Sequence, residues 1–361
     1  MTRLCFVGPL PPPLHGFSSV CAMMLNVLKA RMPVEVFDRA PDLDARASGV
    51  LRQLIRPLKF LATCIGKRDT TLYLALSGGR GQYIDLLYVL TAKLLRRAIF
   101  IHHHSYVYIN SPRRLNRCFF ALVRNENHIV LSAKMGASLT RTYQLDPARV
   151  RVVSNAAFYA SEDAHQLHGN DAAPLQLGFL SNITFEKGFV EFFDVLAALE
   201  QRGIAYQAHI AGPVAADARQ TLDRLLQSTA NVEYAGPVYG EDKERFYRQL
   251  DVFLFPTRYA NEAEPLVIYE AMRRGVHVIA CDRGSIPEML RDGAGLVFPR
   301  DSVVEAAARH IENFSKDRSA LLSAKWRSMQ QAQRILSAGK SSLENLVSCM
   351  QGTSEPLSIL L

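Results

Sequence analysis

Two glutamates, Glu262 and Glu270, stand on either side of Pro265 in the stretch PTRYANEAEPLVIYEAMRRGVHVIACDRGSIPE, directly after the apolar run that ends at Phe255. Proline suits the first helical position, because the N–H it lacks is one that a helix start leaves unused. A helix beginning there frees the amides of Leu266, Val267 and Ile268 at its positive end, and such an end holds a phosphate. Carboxylates bordering that anion site have the hydroxyls of a sugar or ribose as natural partners. A second cluster, Glu186-Lys187-Gly188, opens a helix just behind another apolar run. A lysine there places a compact positive charge on a diphosphate leaving group. Taken singly, each signal is ordinary: glutamates at this spacing are common on solvated helices, and EKG is a usual helix start.

The elements that must position these groups alternate between short β-rich runs and helical patterns, the signature of parallel sheets with helical crossovers. In the first half the pattern predicts strands over 3–7, 34–37, 71–76, 98–102 and 128–131, with helices over 18–30, 51–65, 83–97 and 113–125. In the second half it predicts strands over 175–180, 205–211, 231–235, 252–255, 276–280 and 295–298. The fold class expected is α/β, two doubly wound Rossmann-like lobes facing an interdomain cleft, because ligands of such sheets bind at the carboxyl ends of strands. The division expected is an N-terminal domain over 1–160, a polar linker over 161–174, a C-terminal domain over 175–335 and a helical tail over 336–361.

The order strand, EKG, strand-AG, V-x-Y-x-G, DVFLFPT, E-x7-E, EAMRRGVHVIA and G-S-I-P-E resembles the retaining GT-B glycosyltransferases called group 1 or family 4, strongly over 175–298 and more loosely before that. The resemblance implies a GT-B architecture, with an acceptor-binding domain over 1–160 and a nucleotide-sugar-binding domain over 175–335, and that Lys187 contacts the donor diphosphate, Glu262 the transferred sugar and Glu270 the ribose hydroxyls. It gives the amides of Leu266 and Val267 to phosphate, and Gly284 and Glu288 to the following loop. Gly16, after the first strand, matches a glycine that approaches the diphosphate from the other lobe. A histidine at the end of the fourth strand reaches the donor sugar in the family. Among His102, His103 and His104, alignment on Ser105 favours His103, with His104 second. The chain departs from the family where an Arg usually follows the EKG-side strand, since it has Gly178-Phe179-Leu180-Ser181-Asn182, and Arg258, Arg273 or Arg283 is the expected substitute. It departs again at Ala263-Glu264-Pro265, where a Gly-Phe-Gly is usual and where Pro265 has no N–H to give.

No metal or other cofactor is expected, and the donor is a UDP- or GDP-linked sugar used as substrate. Asp42-Leu43-Asp44 imitates a metal motif but has no strand before it, and Gly78-Gly79-Arg80-Gly81 lacks the dinucleotide fingerprint. The function expected is transfer of a hexose-type sugar to a glycan or lipid-linked acceptor in cell-envelope polysaccharide synthesis, with retention. The alternatives are a GT-B-type nucleotide-sugar epimerase and, outside enzymes, a basic nucleic-acid-binding protein. The absence of any recognised RNA or DNA module weighs against the last.

Charge is uneven. Residues 1–170 carry 22 Lys and Arg against 10 Asp and Glu, a net +12, while the remainder carries 20 against 24, a net −4. The first half therefore attracts an anionic partner or surface. The segment 51–67, with Arg52, Arg56, Lys59 and Lys67 beside an apolar stripe, suggests peripheral contact with an anionic membrane, although Pro57 should kink it. The longest apolar stretch is broken by charges, so the chain is expected in the cytoplasm, at the inner face of the membrane.

Overall fold

The computed structural model describes residues 3–40, 48–66, 69–161 and 174–352, with the side chains of 48–54 excepted. Asp42, Asp44, Lys67 and nearly all of the expected linker over 161–174 lie outside the described residues. The chain divides into two compact units, one of Met1–Tyr159 with Ser337–Leu361, the other of Ala160–Leu336.

The N-terminal unit has six parallel strands, β1 (Arg3–Gly8), β2 (Val34–Asp38), β3 (Thr70–Leu76), β4 (Ala98–His103), β5 (Asn127–Val130) and β6 (Val150–Val152), in the order β2-β1-β3-β4-β5-β6. The C-terminal unit has β7 (Leu175–Leu180), β8 (Tyr206–Ala211), β9 (Val232–Tyr234), β10 (Val252–Phe255), β11 (His277–Cys281) and β12 (Gly295–Phe298), in the order β12-β11-β10-β7-β8-β9. Runs such as TTLYLAL, VFLF and HVIAC are buried throughout, as strands covered by helices on both faces must be. Each sheet reverses its strand order once, between β1 and β3 in the first and between β7 and β10 in the second. Crossovers leave towards opposite faces at such a point, which opens a crevice at the carboxyl ends of the two strands.

The helix Ser48–Gly66 contains Pro57. Two expectations shift. The three-residue strand β6 and the helix Ala133–Tyr143 are additional to the predicted elements. The 336–361 tail is the end of a 34-residue helix, Arg318–Gln351, that starts in the C-terminal unit. Its Leu343, Leu346, Val347 and Met350 are buried among Leu4, Phe6, Met24 and Leu28 of the N-terminal unit.

Candidate functional site

In the C-terminal unit, the loop after β7 and the loop after β10 meet at the reversal point. Lys187 ends a short 3-10 turn, Phe185–Lys187, and its Nζ lies 2.6 Å from Glu262 Oε2. The Thr257 hydroxyl, 3.4 Å away, donates to the same oxygen. The Lys187 ammonium also lies 4.9 Å from the centre of the Tyr259 ring, where an aromatic face attracts a cation.

Backbone contacts explain why these loops touch. Gly188, at φ +83°, comes so close to the Pro256 carbonyl that a Cβ would sit 2.1 Å from its oxygen. The Arg258 amide donates to the Glu186 carbonyl at 2.8 Å. On the other flank Gly284, at φ +50°, leaves room for a Cβ only 2.1 Å from the Glu262 carbonyl oxygen, and the Ser285 amide donates to the Ala263 carbonyl at 2.8 Å. Glycine alone reaches such backbone conformations and approaches without cost. Gly284 thus fixes the backbone that carries Glu262.

The helix Leu266–Arg273 follows, and Pro265 takes its N-cap position rather than the first helical one. No side chain caps that end, so Leu266 and Val267 carry the unclaimed amides of its first turn. Glu270, one turn further in, is buried and already engaged. Its carboxylate lies 2.6 Å from Lys243 Nζ and accepts a 3.1 Å hydrogen bond from the Tyr247 hydroxyl. Lys243 was not among the residues singled out from sequence. The available signal was its spacing from Tyr247, four residues on within the helix Gly240–Arg248, which places both on one face.

Of the three arginines considered as substitutes for the absent phosphate-clamp Arg, two are committed elsewhere. Arg258 pairs with Glu191 at 3.3 Å, and Arg273 shares Glu244 with Arg274. Arg283 donates to the Asp282 carbonyl at 2.9 Å, next to Gly284.

The N-terminal unit has its own helix start at the carboxyl end of β1, Gly16–Lys29. His15 is its N-cap: its ring accepts from the Ser18 amide at 3.2 Å, while the His15 amide donates to the Ser18 hydroxyl at 3.1 Å. A Cβ on Gly16 would meet nothing within 4 Å. Packing within the protein therefore does not demand glycine at this position.

The three histidines separate into distinct roles. The Val123 carbonyl can only accept, so His128 Nε2 carries the proton across their 3.0 Å contact. His128 Nδ1 then accepts from His103 Nε2 at 3.0 Å, and His103 Nδ1 accepts from the Tyr108 hydroxyl at 3.0 Å. Both nitrogens of His103 are consumed, and burial holds its pKa well below the ordinary value, so the ring is a neutral link in a core chain. His103, ranked first from sequence, thus has both ring nitrogens engaged within the core. His102 shares a 2.6 Å hydrogen bond with Tyr73. His104 packs between His102, at 4.0 Å between ring centres, and Phe17, at 4.8 Å, beside the Gly16 helix start. Its Nε2 has no hydrogen-bond partner, and burial pushes its pKa down to about 3. His102 Nε2 likewise has no hydrogen-bond partner, so His102 and His104 each keep one nitrogen unused, and of the two it is His104 that lies against Phe17.

Gly78-Gly79-Arg80-Gly81 forms a 3-10 turn, and Gly81 is needed because a Cβ would meet Ser77 at 2.6 Å. Among the described residues no group of three or more His, Cys, Asp or Glu side chains is placed to hold a metal ion, and no helix is long and apolar enough to cross a membrane.

Two doubly wound parallel sheets in separate units, with phosphate-type helix starts at their strand ends, define the class: this is the GT-B glycosyltransferase fold. Residues 161–333, just under half of the chain, match the family model described as Glycosyl transferases group 1. It is similar to the O-antigen chain mannosyltransferase B of Escherichia coli, 32% identical over 114 residues, which is 32% of this chain and 27% of that protein. It is also similar to the lipopolysaccharide core biosynthesis mannosyltransferase LpsB of Rhizobium meliloti, 29% identical over 161 residues, covering 42% of this chain and 45% of that one. The matched stretch thus spans less than half the length of either curated relative. A crystal structure of HepE from Anabaena in complex with UDP superimposes with a TM-score of 0.71 at 17% identity, covering 96% of this chain and all of that one.

Proposed function

We propose that the chain transfers a hexose-type sugar from a UDP- or GDP-linked donor to a glycan or lipid-linked acceptor of cell-envelope polysaccharide synthesis, with retention of configuration and without a metal. The observation that carries this reading is the Lys187–Glu262 contact beside an uncapped helix start at the strand-order reversal of the C-terminal sheet. The names of the relatives support the acceptor class, and HepE was solved with UDP.

In this reaction an acceptor hydroxyl oxygen bonds to the anomeric carbon as the bond from that carbon to the diphosphate oxygen breaks. The acceptor proton passes to the departing phosphate oxygen. Lys187 and the amides of Leu266 and Val267 stabilise the charge that grows on the diphosphate. Arg283 supplements them in place of the missing family arginine. Glu262 orients the transferred sugar through its hydroxyls. Glu270, paired with Lys243, accepts from the ribose hydroxyls. Gly16 admits the donor phosphates close to the backbone, and His104 Nε2 contacts the donor sugar. The positive charge of the first half supports peripheral contact with an anionic membrane, where a lipid-linked acceptor would be met.

Thermal stabilisation by UDP-, GDP- and ADP-sugars identifies the donor, because a ligand that binds the native state alone raises the melting temperature. Lys187→Ala and Glu270→Gln should each retain the fold and lose most transfer, at least about a hundredfold in kcat/KM for the lysine. Full turnover by either purified variant would refute the assignment.

A further inference from the structure

Seven of the eleven large apolar side chains exposed by the described residues sit on two helices of the N-terminal unit. On Ser48–Gly66 they are Ile55, Leu58 and Ile65; on Gln82–Leu94 they are Tyr83, Leu87, Leu90 and Leu94. Steps of four, three and four residues keep the second set on one helical face, so the outward row of that helix is apolar from end to end. Its inward face, with Tyr88, Val89 and Ala92, is buried and already supplies the core contact. Tyr83 is 60% exposed, Leu94 79%, and Leu58 and Ile65 64% each, so these side chains are not half-covered fringe. The two helices pack on each other, which joins the stripes into one surface. An apolar surface of this kind marks a contact with something other than water.

The surroundings say what that is. The helix Arg114–Val123 also packs against Gln82–Leu94. Its outward positions, together with those just beyond its ends, include the exposed Arg113, Arg114, Arg117 and Arg124. Lys59, Arg80 and Arg96 are exposed on or next to the two apolar helices themselves. Cations bordering an apolar stripe match the phosphates and acyl boundary of an anionic bilayer. A second copy of the same face would bring arginine towards arginine.

We propose that this face seats the N-terminal unit on an anionic lipid membrane, with Leu58, Tyr83, Leu87, Leu90 and Leu94 entering the headgroup boundary and the Arg114–Val123 helix lying against lipid phosphates. This names the surface for the membrane contact suggested by charge alone, and it holds whichever sugar or acceptor the enzyme uses.

The test is sedimentation of the full chain with phosphatidylcholine vesicles and with vesicles of phosphatidylcholine and phosphatidylglycerol, at low and high salt. Wild type should sediment with the anionic vesicles, and salt should weaken that binding. Leu87→Gln/Leu90→Gln/Leu94→Gln should lower binding at least about tenfold, since each buried side chain contributes to interfacial affinity. Arg114→Glu/Arg117→Glu should abolish the preference for phosphatidylglycerol. Both variants should keep the wild-type melting temperature and its increase with nucleotide sugar, because every altered side chain is exposed. Equal sedimentation with both vesicle types, or unchanged binding by the triple variant, overturns the proposal. So does a dimer in sedimentation velocity that the triple variant disrupts, which would make the face a contact between copies. Loss of transfer with vesicle binding intact would instead count against the catalytic reading alone.

Discussion

Lys187 and Glu262 hold each other at 2.6 Å. Under the proposed function, a diphosphate that claimed the ammonium would release the carboxylate and free Glu262 for sugar hydroxyls, coupling the two halves of donor recognition. Glu270 differs, because Lys243 and Tyr247 engage it from a separate helix, so in the proposed reaction only part of its lone-pair capacity would serve the ribose. The histidines make the sharpest prediction at this scale. His104→Ala should lower kcat/KM by about tenfold or more with little change in melting temperature, as expected for a lost transition-state hydrogen bond. His103→Ala should lower the melting temperature, because it strands the Tyr108 hydroxyl and His128 Nδ1 in the core, at about 1–3 kcal/mol for each unpaired group. Thermal unfolding and steady-state kinetics on both variants check this, and the reverse pattern would return the ligand role to His103.

At the scale of elements, two glycines do the positioning that side chains cannot. Gly188 lets the Lys187 turn rest on the Pro256 carbonyl, and Gly284 lets the next loop rest on the carbonyls of Glu262 and Ala263. Gly188→Ala would meet both a forbidden φ and a backbone oxygen 2.1 Å away, so the loops must part. Strain at such a position costs about 1–3 kcal/mol before any clash is counted. The expected result is a lower melting temperature together with a raised KM for donor. Gly16→Ala should leave the melting temperature unchanged, since its Cβ meets nothing in the protein, and raise KM through the ligand alone. A melting temperature equally lowered in both would contradict this division between structural and ligand-facing glycines.

For the whole molecule, the long helix Arg318–Gln351 makes the N-terminal unit dependent on the last part of the described chain. Leu346 is fully buried beside Leu4, Phe6 and Leu28, residues more than three hundred positions earlier. Leu346→Ala should destabilise that unit by about 2–5 kcal/mol, as core truncations do. Unfolding followed in two probes, one in each unit, should show the loss in the N-terminal unit first. The expected tail has thereby become part of a core, which periodicity cannot reveal because it reports only that one face of a helix is apolar.

The sequence by itself determined the alternation of strands and helices and the two sheets, and it marked Lys187, Glu262, Glu270 and Gly284 as candidates. Those signals are local: a buried parallel strand must be apolar on both faces, and helix starts carry their own punctuation. Strand order, the pairing of Lys187 with Glu262, the engagement of Glu270 by Lys243, the engagement of both His103 nitrogens and the destination of the final helix were decided by tertiary structure alone. Each depends on which groups meet across dozens to hundreds of residues, and hydrogen-bond capacity is exhausted or left over only once those neighbours are in place.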